Sequence, residues 1–199
     1  MKTITVIGDM HGQNWDEYVQ FISLNAYSIQ IGDFGLEKMH QSYLRFNDIM
    51  HKQHKILFGN HDWYPNLNCE YSLGNFGTLF DNKIFYIRGA NSIDKHLRYS
   101  GIDWFENEQL SYTEMQSAID LYETVKPEIV ISHTCPQIVK ESQFGFYDKS
   151  FTELALNEMF GIHNPRLWIF GHFHQSKVFK LCNTTFKSLG INEYYSINF

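Results

Sequence analysis

The chain has 199 residues, of which 43% are hydrophobic and 19% are charged, and this composition excludes a largely disordered protein. Its formal net charge of -6 argues against a surface that binds long nucleic acid through many phosphate contacts. The length suffices for a substantial core, and we predict a single domain over residues 1–199.

The cysteines and the N-terminus indicate the compartment. Cys69, Cys135 and Cys182 are odd in number and have no CxxC spacing, so neither a disulfide framework nor a thiolate zinc site is indicated. The first apolar run, in MKTITVIGD, is too short for a signal peptide, and the sequence contains no apolar stretch of membrane-spanning length. We therefore expect a cytoplasmic protein without a membrane partner.

Short apolar runs alternate with helical patterns through the first third of the chain. The runs predict strands over residues 3–7, 27–31 and 55–58, and the patterns predict helices from residue 14 to about 26 and from 36 to about 53. Asn14 and Glu17 have the spacing of a capping box at the start of the first helix. This alternation is typical of βαβ units in a largely parallel sheet.

The rest of the chain continues this pattern after a break. Residues 62–82 lack clear periodicity and predict a loop, whereas residues 83–88, 128–132 and 167–170 predict strands. Two further helices are predicted from capping boxes, Ser111 with Glu114 and Ser150 with Glu153.

The C-terminal stretch has a different pattern. From residue 177 onward apolar and polar residues alternate, and Cys182 and Asn183 occupy the position of a two-residue hairpin turn. The whole chain thus predicts an α/β fold with a mixed or second sheet.

Five of the predicted strands end in side chains that can bind a metal ion. The stretches are ITVIGDMHG, IQIGDFG, ILFGNHD, IVISHTCP and WIFGHFH, and the candidate ligands are Asp9, His11, Asp33, Asn60, His133, His172 and His174. Open α/β sheets bind ligands beyond the carboxyl ends of their strands, so these groups are expected to converge. The glycines at positions 8, 32, 59 and 171 would let the backbone approach such a site closely.

Seven candidates exceed the needs of one ion, so we infer two divalent transition-metal ions. Carboxylate, imidazole and amide ligands suit Mn, Fe or Zn better than Mg or Ca; we favour Mn, with Fe, Zn and Ni as alternatives. Taken singly, each motif has a plainer interpretation, because an Asp after Gly is usually a turn residue and a lone histidine such as His133 is usually a hydrogen-bonded core residue. Five independent turns would not all select ligating side chains, which favours a metal centre.

The order DxH, GD, GNHD, H and GHxH resembles that of the calcineurin-like metallophosphoesterase superfamily, especially its small bacterial and phage members. The resemblance implies a two-sheet β-sandwich flanked by helices, in four α/β/β/α layers. It also implies a dinuclear centre with Asp33 bridging the ions. The remaining implied ligands are Asp9, His11 and His174 for one ion and Asn60, His133 and His172 for the other.

The resemblance also implies roles in catalysis. His61 corresponds to the general acid, which Asp62 would orient, and a hydroxide held by both ions would attack the phosphorus in line. We therefore predict a hydrolase of small or exposed phosphate esters. The chain has GDFGLEK where the protein serine/threonine phosphatases of the superfamily usually have GDxVDRG, which argues against protein phosphatase activity.

The stretch RGANSIDKHLRYSGIDWFENEQLS is similar to a segment of small bacterial and phage members that has approximately GAxSxD, then Arg, then WWxxE. The matching residues are Ser92, Asp94, Arg98, Trp104 and Glu108, with Phe105 in place of the second Trp. Either this segment contributes to the site or it closes a corner between helix and strand. The histidines that match no motif, predicted to be surface or capping residues, are His40, His51, His54, His96 and His163.

Two other functions stay open. The fold could serve as a protein-binding scaffold without turnover, although a scaffold has no need for a free acid such as His61 beside a metal pair. A nuclease or RNA-end phosphatase is the third hypothesis, and the acidic balance of the chain argues against it.

Overall fold

The computed structural model describes residues 3–24, 27–35 and 53–198. The strands are β1 (Thr3–Ile7), β2 (Ser28–Gln30), β3 (His54–Ile56), β4 (Phe76–Leu79), β5 (Ile84–Ile87), β6 (Ile129–Ser132), β7 (Leu167–Phe170), β8 (Lys177–Leu181), β9 (Thr184–Ser188) and β10 (Tyr194–Asn198). The helices of eight or more residues in this part of the chain are α1 (Trp15–Leu24), α2 (Tyr112–Val125), α3 (Gln137–Phe144) and α4 (Phe151–Ile162). None of these helices is long and apolar enough to cross a membrane.

The strands form two mixed sheets. One has the order β10-β1-β2-β3, in which β1, β2 and β3 are parallel and β10 is antiparallel to β1. The other has the order β4-β5-β6-β7-β9-β8, in which the inner four strands are parallel and both edge strands are antiparallel. In each sheet the parallel strands therefore have their carboxyl ends on the same side.

The two sheets pack face to face, and helices cover their outer faces. Ile4 and Ile29 from the first sheet share a core cluster with Ile131 and Ile169 from the second. Because strand side chains alternate between faces, the neighbouring residue Val130 points the other way, into a cluster with residues of α2 and α4. Residues of α1 pack on the outer face of the first sheet. The expected α/β/β/α sandwich is therefore confirmed.

Most of the sequence-based elements are confirmed, with one clear exception. The predicted loop over residues 62–82 contains the edge strand β4, which pairs antiparallel with β5. Gly77 weakens the strand pattern in the sequence, but a side chain at this position would collide with Tyr86, its partner across the ladder. The helix predicted from residue 36 to about 53 falls on residues 36–52, outside the described part of the chain.

The predicted hairpin and the two later capping predictions also have defined outcomes. The hairpin is confirmed, since Leu181 pairs with Thr184 across a turn at which Cys182 has a φ of 51°. Ser111 and Glu114 form both hydrogen bonds of the capping box. The Ser150 hydroxyl also caps its helix, by accepting a hydrogen bond from the amide of residue 153.

The prediction for His54 is wrong, because this histidine is 0% exposed. Its Nε2 atom lies 2.7 Å from the Tyr18 hydroxyl, and its Nδ1 atom lies 2.7 Å from the Ser28 hydroxyl. Such partners make burial of an imidazole tolerable, and they come from elements that the local sequence does not connect. His163 is confirmed as a capping residue at the end of α4, and His96 is exposed. His40 and His51 lie outside the described residues.

A buried ion pair connects α3 with α4. Lys140 is only 2% exposed, and its ammonium group donates to Glu153 Oε2 at 2.6 Å. The same group donates to the Asp148 carboxylate at 3.0 Å and to the Asp148 carbonyl oxygen. Lys140 therefore holds the loop that carries Asp148 against α4.

Replacement of Lys140 by Met should destabilise the protein by about 3 to 5 kcal/mol, because Glu153 would stay buried without its cation. Chemical denaturation measures this loss in the free energy of unfolding. The double variant Lys140→Met, Glu153→Met should regain most of the loss, and Lys149→Met, at an exposed lysine of the same loop, should change little. A double variant as unstable as the single one would contradict this account of the pair.

Candidate metal centre

The carboxyl ends of the parallel strands bring the seven candidate ligands into two adjoining groups. Ligand atoms of Asp9, His11, Asp33 and His174 lie within 4.8 Å of one another. A second group, whose ligand atoms also lie within 4.8 Å of one another, consists of Asp33, His133 and His172. Asp33 belongs to both groups, which is the position that a bridging carboxylate would occupy.

Asn60 joins the second group through its amide oxygen. Asn60 Oδ1 lies 3.2 Å from His133 Nε2. The same imidazole nitrogen lies 3.4 Å from Asp33 Oδ1, while His133 Nδ1 donates to the carbonyl oxygen of Ile31 at 2.8 Å. A histidine whose Nδ1 is occupied by a backbone carbonyl is set up to offer Nε2 to a metal ion.

The first group has the chemistry of a cation site. His11 Nε2 and His174 Nε2 face each other at 2.8 Å, and His174 Nε2 lies 3.2 Å from Asp9 Oδ2. Asp33 Oδ2 is buried and accepts no hydrogen bond from the described residues. Because a buried carboxylate oxygen without a partner is costly, this donor set fits a divalent ion.

Burial and mutual charge set the protonation states in the second group. Burial by itself raises the pKa of Asp33 and lowers that of His133, but their contact outweighs both effects. It holds the pKa of Asp33 well below its usual range and raises the pKa of His133 to about 9. Burial, with His133 adding to it, lowers the pKa of His172 to about 3. Binding of an ion at His133 would therefore release a proton.

The backbone around the centre is strained. Four of the candidate ligands have left-handed φ angles, which side chains other than glycine rarely adopt. They are His11 (52°), Asp33 (53°), His172 (69°) and His174 (54°). Conformations of this kind cost about 1 to 3 kcal/mol each and cluster at functional sites.

Two glycines make room for the ligands. Gly32 has a φ of 112°, and a side chain at this position would collide with the ring of His133. Gly171 lies against the Asp9 carboxylate, which would meet any added Cβ atom. The expected close approach of the backbone is thus present at both positions.

The Ser92 to Glu108 segment contributes to the site. The Glu108 carboxylate accepts from the Ser92 amide and from the Ser92 hydroxyl, each at 2.7 Å. The hydroxyl of Ser92 in turn accepts from Asn60 Nδ2 at 3.1 Å. This chain of hydrogen bonds fixes which way the Asn60 amide points and leaves Oδ1 toward His133. The same segment also closes a corner, because the Trp104 backbone bridges to Ser100 and Phe105 packs on Trp63.

His61 lies at the mouth of the centre. Its backbone amide donates to Asp33 Oδ1 at 2.9 Å, and its Nε2 lies 3.1 Å from Arg98 Nη2. Arg98 is held by Asp94 at 2.9 Å. Burial lowers the pKa of His61 below its usual value. The Arg98 guanidinium adds to this effect, and the Asp33 carboxylate only partly opposes it.

Asp62 contacts the backbone. Its two carboxylate oxygens accept from the amides of Gly59, at 2.8 Å, and Gly35, at 3.0 Å. Burial, together with the Asp33 carboxylate, raises the pKa of Asp62 to about 7. The Asp62 carboxylate thus fixes the turn on which His61 stands.

A cavity of about 330 Å³ opens beside His61 and His172. Several residues of its wall are not among the predicted site residues. They include Ile93, Lys140, Phe146 and Phe173. Phe173 and Ile93 occupy variable positions inside recognised motifs, the GHFH stretch and the GAxSxD stretch, whereas Lys140 and Phe146 lie in no motif and have no local signal in the sequence.

Comparison of the fold identifies similar structures. A dimetal phosphatase from Danio rerio has 12% identity and a TM-score of 0.61, and the match covers 98% of this chain and 91% of that one. A Thermus thermophilus protein has 12% identity and a TM-score of 0.55, with 99% of each chain covered. The phosphopantetheinyl hydrolase of Mycobacterium tuberculosis has 11% identity and a TM-score of 0.54, with 96% of this chain and 90% of that one covered. At these identities the likeness concerns the fold alone.

Comparison of the sequence gives the family. No curated protein matches the chain. The model of the calcineurin-like phosphoesterase family matches residues 2–176, a stretch that contains all seven candidate ligands. The chain therefore belongs to the calcineurin-like phosphoesterase family, hydrolases of phosphate esters that use divalent metal ions.

Proposed function

We propose that the chain hydrolyses small or exposed phosphate esters with the help of two divalent metal ions. The observation that carries the proposal is the pair of ligand groups that share Asp33, with an unligated histidine, His61, at their mouth. A site for one structural ion would need neither the shared carboxylate nor the adjacent acid.

Each ion would have its own set of ligands besides Asp33. The proposed sets are Asp9, His11 and His174 for one ion and Asn60, His133 and His172 for the other. When bound, the two ions would activate the attacking water and offset charge on the phosphoryl oxygens. The mixture of carboxylate, imidazole and amide ligands supports Mn, with Fe, Zn and Ni as alternatives.

Arg98 would bind the phosphoryl group and so release His61. A guanidinium group only donates hydrogen bonds, so His61 Nε2 accepts from Arg98 in this arrangement. A phosphate oxygen is a stronger partner for Arg98 than a neutral imidazole, because both groups then carry charge. Substrate would thus draw the guanidinium from His61, whose freed Nε2 could then take up a proton from water and pass it to the leaving oxygen.

Metal-stripped protein should regain hydrolysis of aryl phosphate esters when Mn is added, and elemental analysis should find two ions per chain. Asp33→Asn should lose both ions and the activity, because its carboxylate serves both sites. His61→Ala should keep two ions, since we assign no ligand role to His61. Two bound ions without turnover of any monoester or diester would instead support a scaffold without catalysis.

Loss of the His61 ring should harm substrates according to their leaving groups. An alkyl phosphate needs a proton on its departing oxygen, whereas a nitrophenolate leaves readily without one, so His61→Ala should reduce kcat/KM much more for the alkyl ester. General-acid help of this kind is worth about 10² to 10⁴ in rate. Equal losses for both esters, with both ions still bound, would show that His61 acts in binding or charge stabilisation.

Ser92→Ala should weaken binding of the ion at Asn60 and leave binding of the other ion unchanged. Without the Ser92 hydroxyl the Asn60 amide loses the partner that orients it, and loss of such a supporting contact costs roughly 10- to 100-fold in metal affinity. Competition with a chelator measures both affinities. Ser117→Ala, on the exposed surface of α2, is the control. Unchanged affinity for both ions in Ser92→Ala would refute the proposed role of this contact.

A further inference from the structure

The cavity beside the candidate metal centre is lined by two chemically different sets of residues. The polar set next to the metal centre includes Asn60, His61 and His172, and the apolar set consists of Ile93, Phe146 and Phe173, of which Phe173 contacts His172 with 5.0 Å between ring centres. An ester whose phosphoryl group lies at the metal centre would therefore place its alcohol half against the second set.

Two phenylalanine rings of the apolar set form one wall of the cavity. Phe146 and Phe173 are nearly parallel, with 16° between their planes and 6.1 Å between ring centres. Phe173 also stacks on Phe144 at 4.2 Å, which fixes its position. Phe146 is 46% exposed and Ile93 is 72% exposed. Large apolar side chains that stay exposed at the mouth of a cavity are a surface that a ligand would cover.

The wall is held in place before any ligand binds. Lys140 donates to the carbonyl oxygen and the carboxylate of Asp148, two residues after Phe146. The same ammonium group is anchored on α4 through Glu153. A preformed wall spares the ligand the cost of ordering this loop.

The charges of the lining disfavour an anionic alcohol. Among the described residues that line the cavity, the cations are Arg98 and Lys140 and the carboxylates are Asp94, Asp148 and Glu153. Lys140 is paired with two of these carboxylates and Arg98 with the third. A second negative group near Lys140 would therefore meet a cation that is already paired with two carboxylates.

We propose that this cavity binds the alcohol half of the ester and that this half is an uncharged group with a flat aromatic ring, held between Ile93 and the Phe146–Phe173 wall. The inference rests on the proposed phosphoesterase function and adds the class of substrate to it. Phe146 and Ile93 are specificity-determining residues in this arrangement, and neither is a candidate metal ligand.

Phosphonates test the proposal because they bind without being hydrolysed. We expect the Mn-loaded protein to bind benzylphosphonate more tightly than methylphosphonate in isothermal titration calorimetry. Phe146→Ala should reduce this preference by roughly 3- to 10-fold, the worth of one aromatic contact, and leave methylphosphonate binding unchanged. Phe146→Leu should have an intermediate effect, because it keeps apolar contact without a ring face.

Two further measurements serve as controls. Tyr147→Ala alters the next side chain of the same loop, which is 73% exposed and outside the cavity lining described here, and should retain the preference of the wild type. 3-Phosphonopropionate, in which a two-carbon chain joins the phosphonate to a carboxylate, should bind no more tightly than methylphosphonate.

The possible failures are distinguishable. Equal affinities for benzylphosphonate and methylphosphonate, or a preference that survives Phe146→Ala, would overturn the aromatic pocket while the phosphoesterase proposal stands. Tighter binding of 3-phosphonopropionate would overturn the requirement for an uncharged alcohol. Two bound Mn ions with no binding of any phosphonate would count against both the pocket and the proposed function.

Discussion

Asp33 lies where the two sheets meet, and its carboxylate contacts side chains that follow strands of both. It stands after β2 of the four-stranded sheet, whereas His133 follows β6 of the six-stranded sheet and approaches Asp33 Oδ1 to 3.4 Å. The His61 amide holds the same oxygen, and the other oxygen is buried without a hydrogen-bond partner among the described residues. The candidate centre therefore depends on how closely the sandwich brings these two strand ends together.

The packing of the sandwich core offsets the energetic cost of this arrangement. Four candidate ligands have left-handed backbone angles, and several buried carboxylates lie in the same region. Such features destabilise a folded chain unless the surrounding packing outweighs them. The isoleucines shared by the two sheets and the aromatic cluster under α2 and α4 provide that packing. The buried faces of the strands thus supply stability, and the candidate ligands follow the ends of the same strands.

The sequence predicts where the candidate ligands lie in the fold because each of them follows a recognisable apolar strand. The convergence of Asp9 and His174 then follows from a general property of parallel sheets, whose strand ends meet at one edge. Contacts between distant segments leave no such local pattern. The environment of His54 depends on Tyr18 and Ser28, and the cavity wall depends on how Lys140 closes a loop that carries Phe146. The Ser92 to Glu108 segment is only partly predictable from the sequence. Its residues match a known pattern, but the contact of Ser92 with Asn60 becomes evident only in three dimensions.

The central claim is that one carboxylate, Asp33, holds two ions. Anomalous diffraction from crystals grown with Mn tests this claim most directly, because it locates each ion independently of the refined protein atoms. The account predicts two anomalous peaks about 3.5 to 4 Å apart, the separation of bridged two-metal sites, with Asp33 between them. A single peak, or two peaks that do not share Asp33, would contradict it.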